Sequence, residues 1–259
     1  RATPAAESKR DFHLDLSDQE RRSYSLVKAM NAAVTNNWQD AGFEREVSVE
    51  LARRMGRESN GFFMPTDLPM VEDLKKDGIP IWGEIELAYH FAKGRIVAIT
   101  GTNGKTTTTA LCGEIMANYY RDVKVVGNIG IPYTSVAADT TDETVTVAEI
   151  SSFQLETTRN FRPLVSALLN VTPDHLDRHK TMENYTLAKA KIFANQGENE
   201  YFIYNADDEI CTGVVSLCRA VPVPFSRRKE LKFGAFVKDG SIVVADGNSV
   251  VEICGVKEL

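Results

Sequence analysis

The fold is decided by one stretch of the chain, which reads Ile96-Val97-Ala98-Ile99-Thr100-Gly101-Thr102-Asn103-Gly104-Lys105-Thr106-Thr107. Its apolar first half is typical of a buried strand, and a glycine turn then leads into a predicted helix. Such a turn directs free N–H groups and the helix N-terminus at one point, where a phosphate group is stabilised. Gly101 and Gly104 allow close approach of the backbone, and Lys105 is placed to bridge terminal phosphates. The stretch therefore predicts a phosphate-binding loop, in which the Thr106 hydroxyl would reach Mg²⁺.

The loop departs at one position from the general phosphate-loop spacing, because Ile99 stands where the first glycine belongs. An ordinary strand–turn–helix with a surface lysine is the alternative interpretation. The β-rich run directly before Gly-Lys-Thr-Thr favours the phosphate loop.

Apolar strands alternate with helices from Arg95 onward, which predicts a mostly parallel sheet with helices on both faces. Further strands are predicted at residues 123–126, 144–150, 166–171, 201–204 and 220–223, and helices at 84–91, 106–119 and 183–193. Two Asp-Gly turns near the C-terminus predict antiparallel hairpins. A separate N-terminal segment is polar, with helices predicted up to residues 27–33 and over 43–55. The expected fold class is α/β, of the phosphate-loop type.

Composition limits the possible partners. The chain has 259 residues, of which 43% are hydrophobic, and its net charge is −6. This balance argues against a nucleic-acid or anionic-membrane partner, although a local nest of N–H groups binds a nucleotide whatever the net charge. The four cysteines are scattered, so neither a zinc site nor a disulfide framework is expected. No signal-peptide core and no apolar run of about 18 residues is present, and the expected location is the cytoplasm.

Two polar residues follow predicted strands at the edge where ligands collect in parallel sheets. Glu149 ends one strand, at a position suited to a magnesium ligand, because Mg²⁺ takes one or two carboxylates together with phosphate oxygens and water. His175 follows the next strand in an acid-rich loop and is a candidate for a metal or substrate role. A solvated strand end and a structural histidine are the alternatives.

The remaining charged candidates carry no functional signal of their own. His90 and His179 are expected to be structural. Lys189 and Lys191 lie in the helix predicted at 183–193, and by pattern alone both are surface lysines.

Several motifs resemble those of the Mur ligase family, and they occur in the same order. The stretch from Gly101 to Thr107 is similar to the phosphate loop that these enzymes share with folylpolyglutamate synthetases. The run Ser151-Ser152-Phe153-Gln154-Leu155-Glu156 is typical of the branch that adds D-glutamate to UDP-N-acetylmuramoyl-L-alanine. The other similar blocks are Asn128-Ile129-Gly130, Asp174-His175-Leu176-Asp177-Arg178-His179, Tyr185-Thr186-Leu187-Ala188-Lys189-Ala190-Lys191-Ile192-Phe193 and Asn205-Ala206-Asp207-Asp208.

The resemblance implies roles for individual residues. ATP would be held by the loop residues Gly101, Thr102, Asn103, Gly104, Lys105, Thr106 and Thr107. Two Mg²⁺ ions would be ligated by Thr106, Glu149, His175 and Lys189, the last as a carbamate. The muramoyl substrate would contact Asn128, Ser151, Gln154 and His175. The catalytic residues would be Lys105, Lys189 and His175.

The resemblance also implies a reaction. A substrate carboxylate attacks the γ-phosphate of ATP to give an acyl phosphate, and the amine of D-glutamate then displaces phosphate. The protein would contribute positioning and charge neutralisation. Its partners would be small molecules, and a monomer is expected.

The family architecture predicts three regions. Residues 94–259 would form the central ATP-binding domain, and 66–93 a remnant of the UDP-substrate-binding domain. Residues 1–65, a helical segment of uncertain origin, do not resemble the family and weakly resemble a segment of tailed-phage capsid proteins. A fusion near residues 64–67 and a divergent helical extension both stay open. Without the C-terminal ligase domain, the chain is expected to bind ATP and Mg²⁺ but to be incomplete for catalysis.

Two alternative functions remain at this point. The first is a sister enzyme, such as a folylpolyglutamate synthetase or another Mur-type ligase. The second is a non-catalytic structural protein related to phage capsids, which would carry the ligase portion as an inert passenger.

Overall fold

The computed structural model describes residues 81–128 and 130–258, together with Lys76. The helices predicted up to residues 27–33 and over 43–55 lie outside these residues. The strands are β1 (Arg95–Thr100), β2 (Val123–Gly127), β3 (Val145–Glu149), β4 (Val165–Leu168), β5 (Tyr201–Asn205), β6 (Val221–Ser226), β7 (Phe233–Lys238), β8 (Ser241–Asp246) and β9 (Val250–Gly255). The α-helices are α1 (Glu84–Phe91), α2 (Lys105–Ala117), α3 (Ser152–Glu156), α4 (Leu176–His179), α5 (Met182–Ala190) and α6 (Glu209–Gly213). Short 3₁₀ turns cover Tyr133–Ser135, Ala137–Asp139, Lys191–Phe193, Val214–Leu217 and Val256–Glu258.

All nine of these strands belong to one sheet, in the order β2-β3-β1-β4-β5-β6-β7-β8-β9. Neighbouring strands from β2 to β7 run parallel, whereas β7, β8 and β9 pair antiparallel. The predicted α/β class, with a mostly parallel sheet and C-terminal hairpins, is confirmed.

Residues of β1 alternate between two apolar cores, because successive strand side chains point to opposite faces. Ile96 and Ala98 belong to the larger core, which includes residues of α1, α3 and α5. Ile99 belongs to a second core, against which Cys112 and Met116 of α2 pack. Helices therefore cover both faces of the sheet, as the sequence predicts.

A buried carboxylate of helix α1, that of Glu86, binds backbone groups of a neighbouring segment. Glu86 is fully buried and accepts hydrogen bonds from the N–H groups of Arg159, Asn160 and Phe161 at 2.8, 2.8 and 3.1 Å. Three backbone donors satisfy a charge that would otherwise be costly to bury.

None of the helices in the described part of the chain has the length and apolar character needed to span a membrane.

Three predicted boundaries were wrong. The strand predicted at 220–223 extends to Ser226. The strand predicted at 166–171 ends at Leu168, because the following residues turn towards the loop after β1. The helix predicted at 183–193 ends as an α-helix at Ala190 and tightens into the 3₁₀ turn Lys191–Phe193. The short helices α3, α4 and α6 were not predicted, since none is long enough to show a helical period.

Candidate functional site

The phosphate loop leaves β1 at the point where the strand order reverses. Strand β3 lies on one side of β1 and β4 on the other, and in open α/β sheets ligands bind at such a switch point. Gly104 has a φ of 81°, in the left-handed region, and α2 begins at the next residue, Lys105. Glycine is suited to this position because it has no Cβ.

The backbone N–H groups of the loop fall into two sets. Those of Thr102 and Asn103 donate to Asn170, at its carbonyl oxygen (3.0 Å) and its Oδ1 (2.8 Å). By contrast, the hydrogen bonds of the described residues include none donated by the N–H groups of residues 104–107. These are the first N–H groups of α2, which have no partner within the helix. An anion at this end of α2 would therefore meet several free donors.

The Thr102 hydroxyl is fully engaged within the protein. It accepts the N–H of Thr172 (3.0 Å) and donates its one hydrogen to the Thr172 carbonyl (3.2 Å). The hydroxyl of Tyr185 lies 3.2 Å from the same oxygen. When the Thr102 hydrogen is directed at the Thr172 carbonyl, Tyr185 is the donor to Thr102. Thr102 thus joins the loop to α5 and to the segment after β4.

Lys105 and Lys189 both reach the same backbone carbonyl. The Lys105 ammonium donates to the carbonyls of Gly101 (3.0 Å) and Thr102 (2.9 Å). The Lys189 ammonium donates to the Gly101 carbonyl at 2.8 Å. Two amine-bearing side chains are therefore neighbours on the loop, which places several hydrogen-bond donors at this end of the sheet.

The pattern-based prediction that Lys189 lies on the surface is wrong. Its side chain is 2% exposed, and its ammonium lies 4.5 Å from the centre of the Tyr185 ring. Burial, and then repulsion from Lys105, lowers the pKa of Lys189 to about 7. The α5 face that carries Tyr185 and Lys189 packs against the loop, whereas Lys191 is exposed as predicted.

Glu149 lies beside the loop on the β3 side. It is 2% exposed, and in the sheet it pairs with Ile99, near the end of β1. The side-chain amide of Asn128 donates to Glu149 Oε1 at 3.0 Å, and the Asn128 N–H donates to the Glu149 carbonyl at 2.8 Å. Asn128 and Glu149 thus form one unit, and remaining carboxylate lone pairs are available to a cation.

His175 lies on the rim of this region. Its φ is 50°, its side chain is 48% exposed, and its Nε2 lies 3.4 Å from Asp174 Oδ2. The ring packs 4.9 Å from Phe153 and 6.4 Å from Tyr185, measured between ring centres. Among the described residues, no three His, Cys, Asp or Glu side chains form a group that could hold a metal. The protein therefore has no preformed metal cage of these side chains in its described part.

Ser151 and Gln154 form a capping box at the start of α3, in which each side chain bonds the backbone N–H of the other. The Gln154 amide also donates to Glu84 Oε2 at 3.2 Å, and Glu84 Oε1 accepts the N–H of Thr134 at 2.8 Å. Burial raises the pKa of Glu84. Gln154 therefore joins α3 to α1, and Ser151 is held by Gln154.

His179 has the structural role that the sequence predicts. Its ring is buried, lies 3.0 Å from the Ser152 hydroxyl and stacks on Phe153. Burial lowers its pKa, which favours the neutral ring. The sequence reasoning missed Tyr185, Asn170 and Glu84. Tyr185 lies within a block already singled out, and Asn170 lies within the strand predicted at 166–171. A polar residue flanking a phosphate loop in the sheet is the signal that would have found Asn170.

A cleft of about 450 Å³ opens further along the same sheet edge, after β5 and β6. It is lined by Asn205, Asp207, Asp208, Arg227 and Arg228. Three of these residues, Asn205, Asp207 and Asp208, form hydrogen bonds to backbone groups of neighbouring segments. Asp208, for example, accepts the N–H of Val171 at 3.0 Å.

These features define the class of α/β proteins that carry a phosphate loop at a sheet switch point. More specifically, residues 99–236 match the family described as the Mur ligase middle domain, and the chain belongs to that family. The chain is 52% identical over 196 residues to the UDP-N-acetylmuramoylalanine--D-glutamate ligase of Lachnoclostridium phytofermentans, which covers 76% of the chain and 43% of that protein. It is 55% identical over 186 residues to the ligase of the same name from Alkaliphilus oremlandii, covering 71% of the chain and 41% of the relative.

The chain thus spans less than half the length of these curated relatives. Among solved structures, a crystal structure of MurF from Acinetobacter baumannii superposes with a TM-score of 0.50 at 14% identity, over 66% of this chain and 41% of that one. At that identity the likeness concerns the fold alone.

Proposed function

We propose that this chain is the nucleotide-binding part of an ATP-dependent ligase that adds D-glutamate to UDP-N-acetylmuramoyl-L-alanine. The observation that carries the proposal is the pair of lysines, Lys105 and Lys189, on the single carbonyl of Gly101. The Lys105 ammonium, the Lys189 amine group and the free N–H groups at the start of α2 together supply hydrogen-bond donors suited to a triphosphate. The names of the relatives that are about half identical support D-glutamate as the amine substrate and disfavour a folylpolyglutamate synthetase.

The loop would bind ATP through residues 101–107, with unequal roles. The N–H groups of residues 104–107 are the phosphate donors, while Lys105 leaves its loop carbonyls to bridge the terminal phosphates. Thr102 and Asn103 act through the shape of the loop, since their N–H groups are already used.

Magnesium fits the donors beside the loop. Glu149 is a buried carboxylate at the end of the strand next to β1, and Mg²⁺ takes such a carboxylate together with phosphate oxygens and water. Thr106, Glu149, His175 and Lys189 are the proposed ligands of two ions. When bound, the ions would neutralise charge on the phosphates.

Lys189 would serve as a ligand only after losing its positive charge. Its pKa of about 7 makes a substantial fraction of the side chain a neutral amine near neutral pH. That amine can attack CO₂: an N–C bond forms, the nitrogen releases a proton, and the anionic carbamate supplies oxygen donors. Desolvation of the ammonium by the surrounding side chains supports this step.

The muramoyl substrate would contact Asn128, Ser151, Gln154 and His175. Asn128 is exposed and already bound to Glu149, so it would link the substrate to the magnesium carboxylate. Ser151 and Gln154 would present the N-terminus of α3. The chain's own contribution to the acyl phosphate step is to hold the γ-phosphate at the loop and to bring the substrate carboxylate to it.

Nucleotide binding is tested by titrating the chain with a fluorescent ATP analogue at millimolar Mg²⁺. Saturable binding is expected, with loss of the signal in Lys105→Ala and no change in the control Lys191→Ala, whose lysine is exposed. An equal signal in all three proteins would contradict the proposal.

The ligase reaction needs a polypeptide that extends this chain to the full length of its relatives. Phosphate release should then require both UDP-N-acetylmuramoyl-L-alanine and D-glutamate. Phosphate release without D-glutamate, or with a folate in place of the muramoyl substrate, would contradict the proposed ligase reaction. The monomeric state and the cytoplasmic location stay predictions, and the former is checked by light scattering.

A further inference from the structure

Asn170 binds the phosphate loop through three hydrogen bonds. Its carbonyl accepts the N–H of Thr102 at 3.0 Å, and its Oδ1 accepts the N–H of Asn103 at 2.8 Å. Its Nδ2 donates to the Asn103 carbonyl at 3.0 Å. The side-chain amide therefore pairs with both polar groups of one loop residue.

This pairing continues the sheet beyond its strands. The last regular bond between the β4 side and β1 runs from the Leu169 N–H to the Thr100 carbonyl, at 3.0 Å. From there on, the side chain of Asn170 replaces a peptide group as the partner of Asn103. A primary amide has the same donor and acceptor as a peptide, which is why asparagine suits this position.

The loop also packs directly on this segment. A Cβ placed on Gly101 would lie 3.1 Å from the Leu169 Cβ and 3.4 Å from the Asn170 nitrogen. Little space separates the two segments, so the position of Asn170 decides where Asn103 lies.

The orientation of Asn103 has a consequence for the residues after it. Its N–H donates to Asn170 Oδ1 and is therefore not free to bind a ligand. The N–H groups of residues 104–107, which follow, are left without acceptors among the described residues. A loop released from Asn170 would have rotatable peptide groups at 102 and 103, and it would lose entropy on binding a phosphate.

We infer that Asn170 is a positioning residue, which holds the phosphate loop in its binding conformation before the nucleotide arrives. This inference rests on the proposed nucleotide binding and adds a residue that acts through its hydrogen bonds to the loop. A purely structural role would predict a loss of stability in Asn170→Ala with unchanged affinity.

The experiment compares Asn170→Ala with Asn195→Ala in the whole chain. Asn195 is a matched control, because its side chain also makes two hydrogen bonds to backbone, to the carbonyls of Arg159 (2.7 Å) and Phe161 (3.0 Å). Those bonds lie in the segment that contacts α1, away from the loop. Binding of a fluorescent ATP analogue and hydrogen exchange of individual amides by NMR are measured for each protein.

Asn170→Ala is expected to weaken the ATP analogue about tenfold, since two side-chain hydrogen bonds no longer order the loop. It should also speed exchange of the Asn103 N–H, while Ile99 in β1 stays protected. Asn195→Ala should change neither quantity. Equal affinity for Asn170→Ala and the wild type would overturn the inference.

The two proposals fail differently. If the wild-type chain shows no saturable binding of the ATP analogue, the proposed function fails. Hydrogen exchange of the Asn103 N–H is measured without a nucleotide and therefore still tests whether Asn170 orders the loop. Unchanged protection in Asn170→Ala would overturn this role of Asn170, and faster exchange would support it.

Discussion

Replacing Lys189 by methionine tests the cost of burying its amine. Methionine has a similar length and no charge, so it can fill the same space. The Gly101 carbonyl keeps the Lys105 ammonium as a donor at 3.0 Å, and no acceptor is left unpaired. We therefore expect Lys189→Met to raise the free energy of unfolding at neutral pH, although it would remove a proposed magnesium ligand.

The size of this effect follows from the pKa of Lys189, which is lowered from 10.5 to about 7. Between these values the unfolded chain binds more protons than the folded one, so wild-type stability rises with pH across this window. Each pH unit there is worth about 1.4 kcal/mol. The gain in the free energy of unfolding from Lys189→Met should therefore be largest at or below pH 7, with an upper limit of about 5 kcal/mol. This gain should shrink by roughly 2 kcal/mol by pH 9.

Urea unfolding at pH 7, 8 and 9 measures this difference, in buffer free of CO₂ so that no carbamate forms. Lys191→Met is the control, because Lys191 is exposed and only its surface bond to the Glu156 carbonyl, at 2.6 Å, is removed. A difference between Lys189→Met and the wild type that does not vary with pH would refute the reasoning. So would an equal pH dependence in Lys191→Met.

Three further substitutions test contacts around the site, each by urea unfolding. Tyr185→Phe removes the donor to Thr102 and should cost about 1 kcal/mol; no loss would argue against that hydrogen bond. Glu86→Gln replaces an acceptor of three N–H groups and should cost about 2–3 kcal/mol, and a neutral result would contradict the role of Glu86 in attaching α1. Gly127→Ala should lower the free energy of unfolding more than the control Gly130→Ala. Both glycines have a positive φ, but a Cβ at position 127 would lie 2.0 Å from a backbone oxygen of β3, whereas a Cβ at position 130 would have nothing within 4 Å. Equal costs would contradict this account.

The parts of the fold that could be predicted are those with local signals. The stretch from residue 96 to 107 contains a whole strand, turn and helix start, and its chemistry depends on neighbours in sequence. The hairpins after β7 are local in the same sense, because each turn and the strands it joins are adjacent. The class of fold and the position of Lys105 follow from these segments alone.

Lys189 could not be placed by the same reasoning. Nothing in the period of the helix predicted at 183–193 distinguishes it from Lys191, since both are charged residues in a mixed pattern. The face of α5 that becomes buried is chosen by packing against the loop, where the Tyr185 hydroxyl meets Thr102 across 83 positions of sequence. The resemblance to a known family pointed to Lys189, but the pattern of residues did not.

The position of Asn170 shows why the rest of the site depends on strand register. Strand β4 pairs with β1 so that Leu168 faces Thr100, which brings Asn170 opposite Thr102. A shift of one residue would turn every side chain of β4 to the other face of the sheet, and the amide of Asn170 would no longer reach Asn103. Because β1 and β4 are separated by α2, α3 and two strands, no turn of fixed length sets this register. It is set by packing on both faces of the sheet, which individual motifs do not encode.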